Sequence, residues 1–112
     1  MKIAFTSEGQ NWDSKINPRF GRTEYFLVYD EESDQLEAFD NNEIRNQEHG
    51  AGPKAAKKLY ELEANILITG NGPGGNAADI VEKANIKCFV GAENLSVKEA
   101  YKAYKNNNLE AF

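Results

Sequence analysis

Ile66-Leu67-Ile68-Thr69-Gly70-Asn71-Gly72-Pro73-Gly74-Gly75-Asn76-Ala77-Ala78 is a short apolar run that opens into a glycine-rich loop and then resumes as a helical pattern. Four consecutive apolar or β-branched residues suit a strand buried on both faces. The glycines at 70, 72, 74 and 75 permit positive φ or a close approach of the backbone to a neighbour. A strand–turn–helix unit of this kind leaves the first N–H groups of the helix pointing outward at the positive end of its dipole, where an anion is the natural guest.

Working outward, the rest of the chain reads as scaffolding for this edge. Lys2 to Thr6 is a first strand, followed by a long polar loop from Ser7 to Arg22. Loops of that length in compact domains are more often functional than merely connective. Tyr25 to Tyr29 and Gln35 to Phe39 are strands joined by the acidic run Asp30-Glu31-Glu32-Ser33-Asp34, so short a link that the pair must be an antiparallel hairpin. A second polar loop, Asp40 to Pro53, feeds a helix from about Lys54 to Glu63 with Ala55, Ala56, Leu59, Tyr60 and Leu62 as its buried face. After the glycine loop, Ala77, Ile80, Val81 and Ala84 form one helical stripe, Ile86 to Val90 is the last strand, and Ser96-Val97-Lys98-Glu99 has the form of a capping box. Asn106-Asn107-Asn108 ends that final helix.

A hairpin followed by right-handed crossovers implies an α/β sandwich: a five-stranded mixed sheet of order 3-2-1-4-5, strand two antiparallel, with three helices. No repeat or linker divides residues 1–112, so a single domain is expected. The net charge of −5 from 13 basic and 18 acidic residues argues against a sequence-independent nucleic-acid binder. No apolar stretch approaches a membrane span and the N-terminus turns polar too soon for a signal peptide, so a cytoplasmic protein is expected. The single cysteine, Cys88, excludes an internal disulfide and a site built from several thiolates.

In that topology the loops carrying Arg19, Arg22, Arg45, His49 and residues 70–75 all lie at the carboxyl edge of the sheet, where open α/β sheets bind ligands. Those three are the only arginines in the chain. Arginine suits bidentate contacts to carboxylate or phosphate-like groups, so the converging chemistry favours an anion. The Gly70-x-Gly72-x-x-Gly75 spacing, with Glu93 near the distance of a ribose-binding acid, also matches a dinucleotide fingerprint, but only one strand follows it and Pro73 stiffens the turn. Asn76 and Ala77 stand where a phosphate-binding loop needs Lys and Ser or Thr. A two-metal nuclease needs a carboxylate on the first strand, and Lys2 to Thr6 has none.

Asp13-Ser14 with Phe20-Gly21-Arg22, then His49-Gly50-Ala51-Gly52 before a helix and Gly70-Asn71-Gly72-Pro73 before another, resemble the dinitrogenase iron-molybdenum cofactor biosynthesis family over nearly the whole chain. That family includes nitrogenase cofactor carriers and small stand-alone proteins, also where nitrogenase is absent. The resemblance implies a ribonuclease-H-like three-layer sandwich. It implies no enzyme activity, but binding or delivery of an anionic iron–sulfur or iron-molybdenum type cluster, with a cluster donor or acceptor protein as partner and neither nucleic acid nor membrane.

The cofactor-binding residues expected on this reading are Arg19, Arg22, His49, Gly50, Gly70, Asn71, Gly72, Gly74 and Gly75, with His49 the metal ligand. Some relatives carry a histidine directly before Phe-Gly-Arg, where this chain has Arg19. Each residue also has a structural reading. His49 can be a loop or capping residue, Cys88 a small core residue, and Trp12 a loop anchor in place of a lid. Phe20 can plug the core, with Gly21 a tight entry to the strand and Arg22 solvated. With so few donors, a carrier that holds an intact cluster through arginines and backbone N–H groups fits better than a scaffold that assembles one. Two other functions use the same edge: a metal-independent anion or nucleotide-binding regulatory module, and a protein-interaction domain with an exposed apolar patch at Trp12 and Phe20.

Overall fold

The computed structural model describes all 112 residues. Its elements run β1 (Lys2–Ser7), β2 (Tyr25–Asp30), β3 (Gln35–Asp40), α1 (Asn42–Arg45), α2 (Ala51–Glu61), β4 (Ile66–Ile68), α3 (Gly75–Lys83), β5 (Lys87–Val90), α4 (Val97–Lys105) and β6 (Glu110–Ala111). The sheet order is β3-β2-β1-β4-β5-β6. β1 pairs antiparallel with β2 and parallel with β4, β4 pairs parallel with β5, and β2 pairs antiparallel with β3.

The expected order and directions of strands one to five therefore hold, and two counts change. The sheet has six strands, because Glu110–Ala111 adds antiparallel to β5. Two residues carry no alternation that a sequence pattern could reveal. There are four helices, α1 being a single turn inside the second polar loop.

Strand periodicity divides the core in two. On one face Ala4, Phe26, Val28, Leu67 and Cys88 meet Ala55, Ala56 and Leu59 of α2 and Ala77 and Val81 of α3. On the other, Ile3, Phe5, Leu27, Ile66 and Ile68 meet Val97 and Ala100 of α4. β1, β2 and β4 thus bury both faces, as their unbroken apolar runs require. Trp12 anchors its loop over the α4 side, its ring 4.9 Å from that of Tyr29 and 5.8 Å from that of Tyr101. Phe20 is 5% exposed and packs on Phe26, so the apolar surface patch expected of an interaction domain at Trp12 and Phe20 does not form.

α2 begins at Ala51, three residues before the expected start. Its buried side is Ala51, Ala55, Ala56 and Leu59, and Tyr60, expected on that side, is 63% exposed. The capping box of α4 is present: Ser96 accepts from the Glu99 N–H at 3.1 Å and Glu99 accepts from the Ser96 N–H at 2.8 Å. No helix is long and apolar enough to cross a membrane.

Candidate functional site

The carboxyl ends of β1, β4 and β5 open into the loops 8–24, 69–74 and 91–96, and the loop 41–50 joins them from the end of β3. Buried polar contacts knit the first two together. Thr6 in β1 and Thr69, the residue just past the end of β4, both fully buried, sit side by side with hydroxyl oxygens 2.8 Å apart. Thr6 donates to the Asn17 carbonyl at 2.7 Å, so the proton shared between the hydroxyls comes from Thr69. The Asn71 N–H then donates to the Pro18 carbonyl at 2.8 Å. Gly70 lies flat against Pro18, where a Cβ would stand only 2.7 Å from the Pro18 Cα. The close approach explains this glycine without any ligand.

On the other side, Gly21 packs on the start of α2, where a Cβ would lie 2.7 Å from the Gly52 nitrogen. Asn41 donates from Nδ2 to the Gly21 and Thr23 carbonyls, leaving its buried Oδ1 without a partner. Arg22 turns inward, donating to the carbonyls of Arg45, Gln47 and Glu48, while Arg45 Nε donates back to the Arg22 carbonyl at 3.2 Å.

These contacts bring two helix starts together. A Cβ on Gly52 in the first turn of α2 would lie 3.3 Å from the Ala77 Cβ in the first turn of α3. Both helices have glycine N-caps, Gly50 and Gly74, with no side-chain cap bond and no acidic residue in the first turn. The backbone N–H groups of Ala51, Gly52, Gly75 and Asn76 donate to no backbone carbonyl. Each helix start carries about half a positive charge, so side by side they present roughly one unit to whatever lies in front of them. Gly75 has φ +49 and Gly50 φ +78, both in the left-handed region that favours glycine, and neither would bring a Cβ into contact with a neighbour.

Among the expected site residues, Arg19, His49, Gly50, Asn71, Gly74 and Gly75 are exposed, whereas Gly70 is buried. Arg22 and Gly72 are half-buried. Gly72 faces the Phe112 ring, whose nearest carbon would be 2.0 Å from an added Cβ. Cys88 faces the core in β5, and burial pushes its thiol up to about 12, far from the thiolate that binds metal. No group of three or more His, Cys, Asp or Glu side chains is placed to hold a metal ion. The two helix starts thus form a backbone-lined mouth with a positive dipole bias, with exposed His49 next to the Gly50 cap and exposed Arg19 next to Pro18, which packs on Gly70.

The loops before both helices were expected at this edge, but a bare helix start suited to an anion was read only before α3. The missing signal was the matching Gly50-Ala51-Gly52 step before α2.

The chain is similar over nearly its whole length to a known family and to solved structures. The model of the family described as dinitrogenase iron-molybdenum cofactor matches residues 1–107. The structure of the apo form of the orange protein from Desulfovibrio gigas superposes with a TM-score of 0.93 at 33% identity, over 99% of this chain and 92% of that one. A solution structure from Thermotoga, provisionally described as a NifB protein of the DUF35 family, gives a TM-score of 0.84 at 34% identity, over 98% and 91%. An uncharacterized protein of Methanocaldococcus jannaschii is 27% identical over 114 residues, covering 100% of this chain and 92% of that protein.

Proposed function

This chain belongs to the dinitrogenase iron-molybdenum cofactor family, and from that premise we propose that it is a non-enzymatic carrier of a preformed anionic metal–sulfur cluster, of the iron-molybdenum or iron–sulfur type, held at the loop edge. The observation that carries this reading is the pair of adjacent helix starts, whose N–H groups have no backbone acceptor and whose first turns hold no acid. The cluster is cargo. Its sulfides and net negative charge suit hydrogen-bond donors and the Arg19 guanidinium, and His49 supplies one coordinate bond. With Cys88 buried and no group of three or more His, Cys, Asp or Glu side chains brought together, the donor set fits holding a preformed cluster better than assembling one. Its partners on this reading are a cluster donor and a cluster acceptor protein in the cytoplasm.

The same N–H groups favour a second reading, a metal-independent anion-binding module, because backbone donors do not discriminate a cluster from an oxyanion. One experiment separates the two. The protein is mixed anaerobically with extruded iron-molybdenum cofactor or a [4Fe–4S] donor and passed through gel filtration. Near-stoichiometric co-eluting metal with wild type, reduced in Arg19→Ala and His49→Ala, supports the carrier. No metal with wild type, together with stabilisation by inorganic phosphate that survives His49→Ala, supports the anion module and overturns the carrier.

A further inference from the structure

Phe20-Gly21-Arg22 has a place in the fold that the carrier reading does not use. Phe20 is locked in the core beneath the loop, Gly21 lies against the Ala51–Gly52 backbone, and Arg22 reaches across to the segment before His49. The carbonyls of Arg45, Gln47 and Glu48 each accept from Arg22 and from no other group. The N–H groups of Glu48, His49 and Gly50 find no backbone acceptor. The segment between α1 and α2 is also tied by the Gln47 N–H to the Ile44 carbonyl, by the Gln47 side chain to the Glu43 carbonyl and by Lys54 to the Gln47 side-chain oxygen. Arg22 alone takes the carbonyls of Arg45, Gln47 and Glu48, and its fork of N–H donors suits several carbonyls at once in a way that a lysine ammonium does not.

We propose that Phe20-Gly21-Arg22 is a clamp that positions His49 and the start of α2, with Arg22 acting through the 45–49 segment and not by touching the bound anion. The inference rests on the reading of this edge as the binding site, but its first test needs no ligand. In the ligand-free protein, glutamyl endopeptidase cleavage after Glu48 is followed by mass spectrometry in wild type, Arg22→Ala, Arg22→Lys and Arg19→Ala. Opening a segment held by charge-assisted bonds is expected to accelerate cleavage about tenfold or more in both Arg22 variants, with Arg19→Ala unchanged. A sub-denaturing concentration of guanidinium is expected to slow it again in Arg22→Ala. Arg22→Lys keeps the charge, so it carries the test if Arg22→Ala does not fold by circular dichroism.

Cleavage within about twofold of wild type in the Arg22 variants, or acceleration equally strong in Arg19→Ala, overturns the clamp. The second test is a double-mutant cycle with extruded iron-molybdenum cofactor as probe. If Arg22 acts through His49, Arg22→Ala with His49→Ala loses no more bound metal than the worse single variant, whereas additive losses make Arg22 a direct ligand. Should wild type bind no cofactor, the carrier reading falls while the protease and guanidinium measurements still decide the clamp.

Discussion

Two glycines four positions apart in the same loop should respond to alanine very differently. At Gly70 the new Cβ would stand 2.7 Å from the Pro18 Cα and 3.1 Å from the Glu93 Cβ. The first of these is backbone and cannot swing aside, so the loop itself must move. Overpacking of this kind costs about 1–3 kcal/mol. Movement also weakens the Asn71 N–H bond to Pro18 at 2.8 Å and the Gly91 N–H bond to Gly70 at 3.0 Å, each worth about 0.5–1.5 kcal/mol. The expected loss for Gly70→Ala is about 2–4 kcal/mol, which at about 4 °C per kcal/mol for a domain of this size lowers Tm by about 8–16 °C. Gly74 has φ −104 and ψ 162, and an added Cβ there meets nothing within 4 Å. The reduced entropy of the unfolded chain offsets the poorer N-cap, so Gly74→Ala should stay within about 1 kcal/mol of wild type. Urea unfolding followed by circular dichroism, with m unchanged, gives both numbers. A Gly70→Ala protein within about 1 kcal/mol of Gly74→Ala would refute the claim that this glycine is required by close packing.

The Glu31 carboxylate accepts from Tyr101 at 2.6 Å and from Lys105 at 3.1 Å, and the tyrosine hydroxyl first and the lysine second hold it below its ordinary value of 4.5. A depressed carboxyl contributes stability that is present above its unfolded pKa and is lost as pH falls through the folded one. Stability measured by urea titration should therefore decline below about pH 4.5, and Tyr101→Phe should flatten that limb. Cys88, buried in β5 with its thiol pushed up to about 12, should resist iodoacetamide at pH 8 in the native protein and react on unfolding in urea, which mass spectrometry reads directly. Labelling of folded protein at the rate of a free thiol would contradict its burial.

The arrangement of strands was legible because a hairpin and right-handed crossovers leave few ways to wind the chain. The acidic turn at 30–34 made the hairpin, and the apolar run at 66–68 made the buried parallel strand. β6 and α1 were not legible, being too short for any period to show. Tyr60 was misplaced because it lies about 100° round the helix from Leu59, outside the stripe that Ala51, Ala55 and Leu59 turn inward. At the site, the exposure of Arg19 and His49 follows from their polar loops, but the orientation of Arg22 could not be read. Its partners are carbonyl oxygens of residues 45, 47 and 48, and main-chain atoms are the same whatever the sequence. Gly72 was equally opaque, since the ring that lies on it belongs to residue 112.

The Thr6–Thr69 pair has a consequence for when this molecule becomes competent. The two hydroxyls join residues 63 positions apart, and β1, first in the chain, has β4 as its parallel neighbour. Closing so long a loop is entropically slow compared with forming the β2–β3 hairpin or an isolated helix. During synthesis the N-terminal strand waits beside its hairpin partner until the second half emerges, with one edge open. The mouth between the two helix starts needs α3, and α3 needs β4 seated on β1. A chain that has not closed its sheet has no such mouth, so on the proposed reading only a completed fold takes up the cargo.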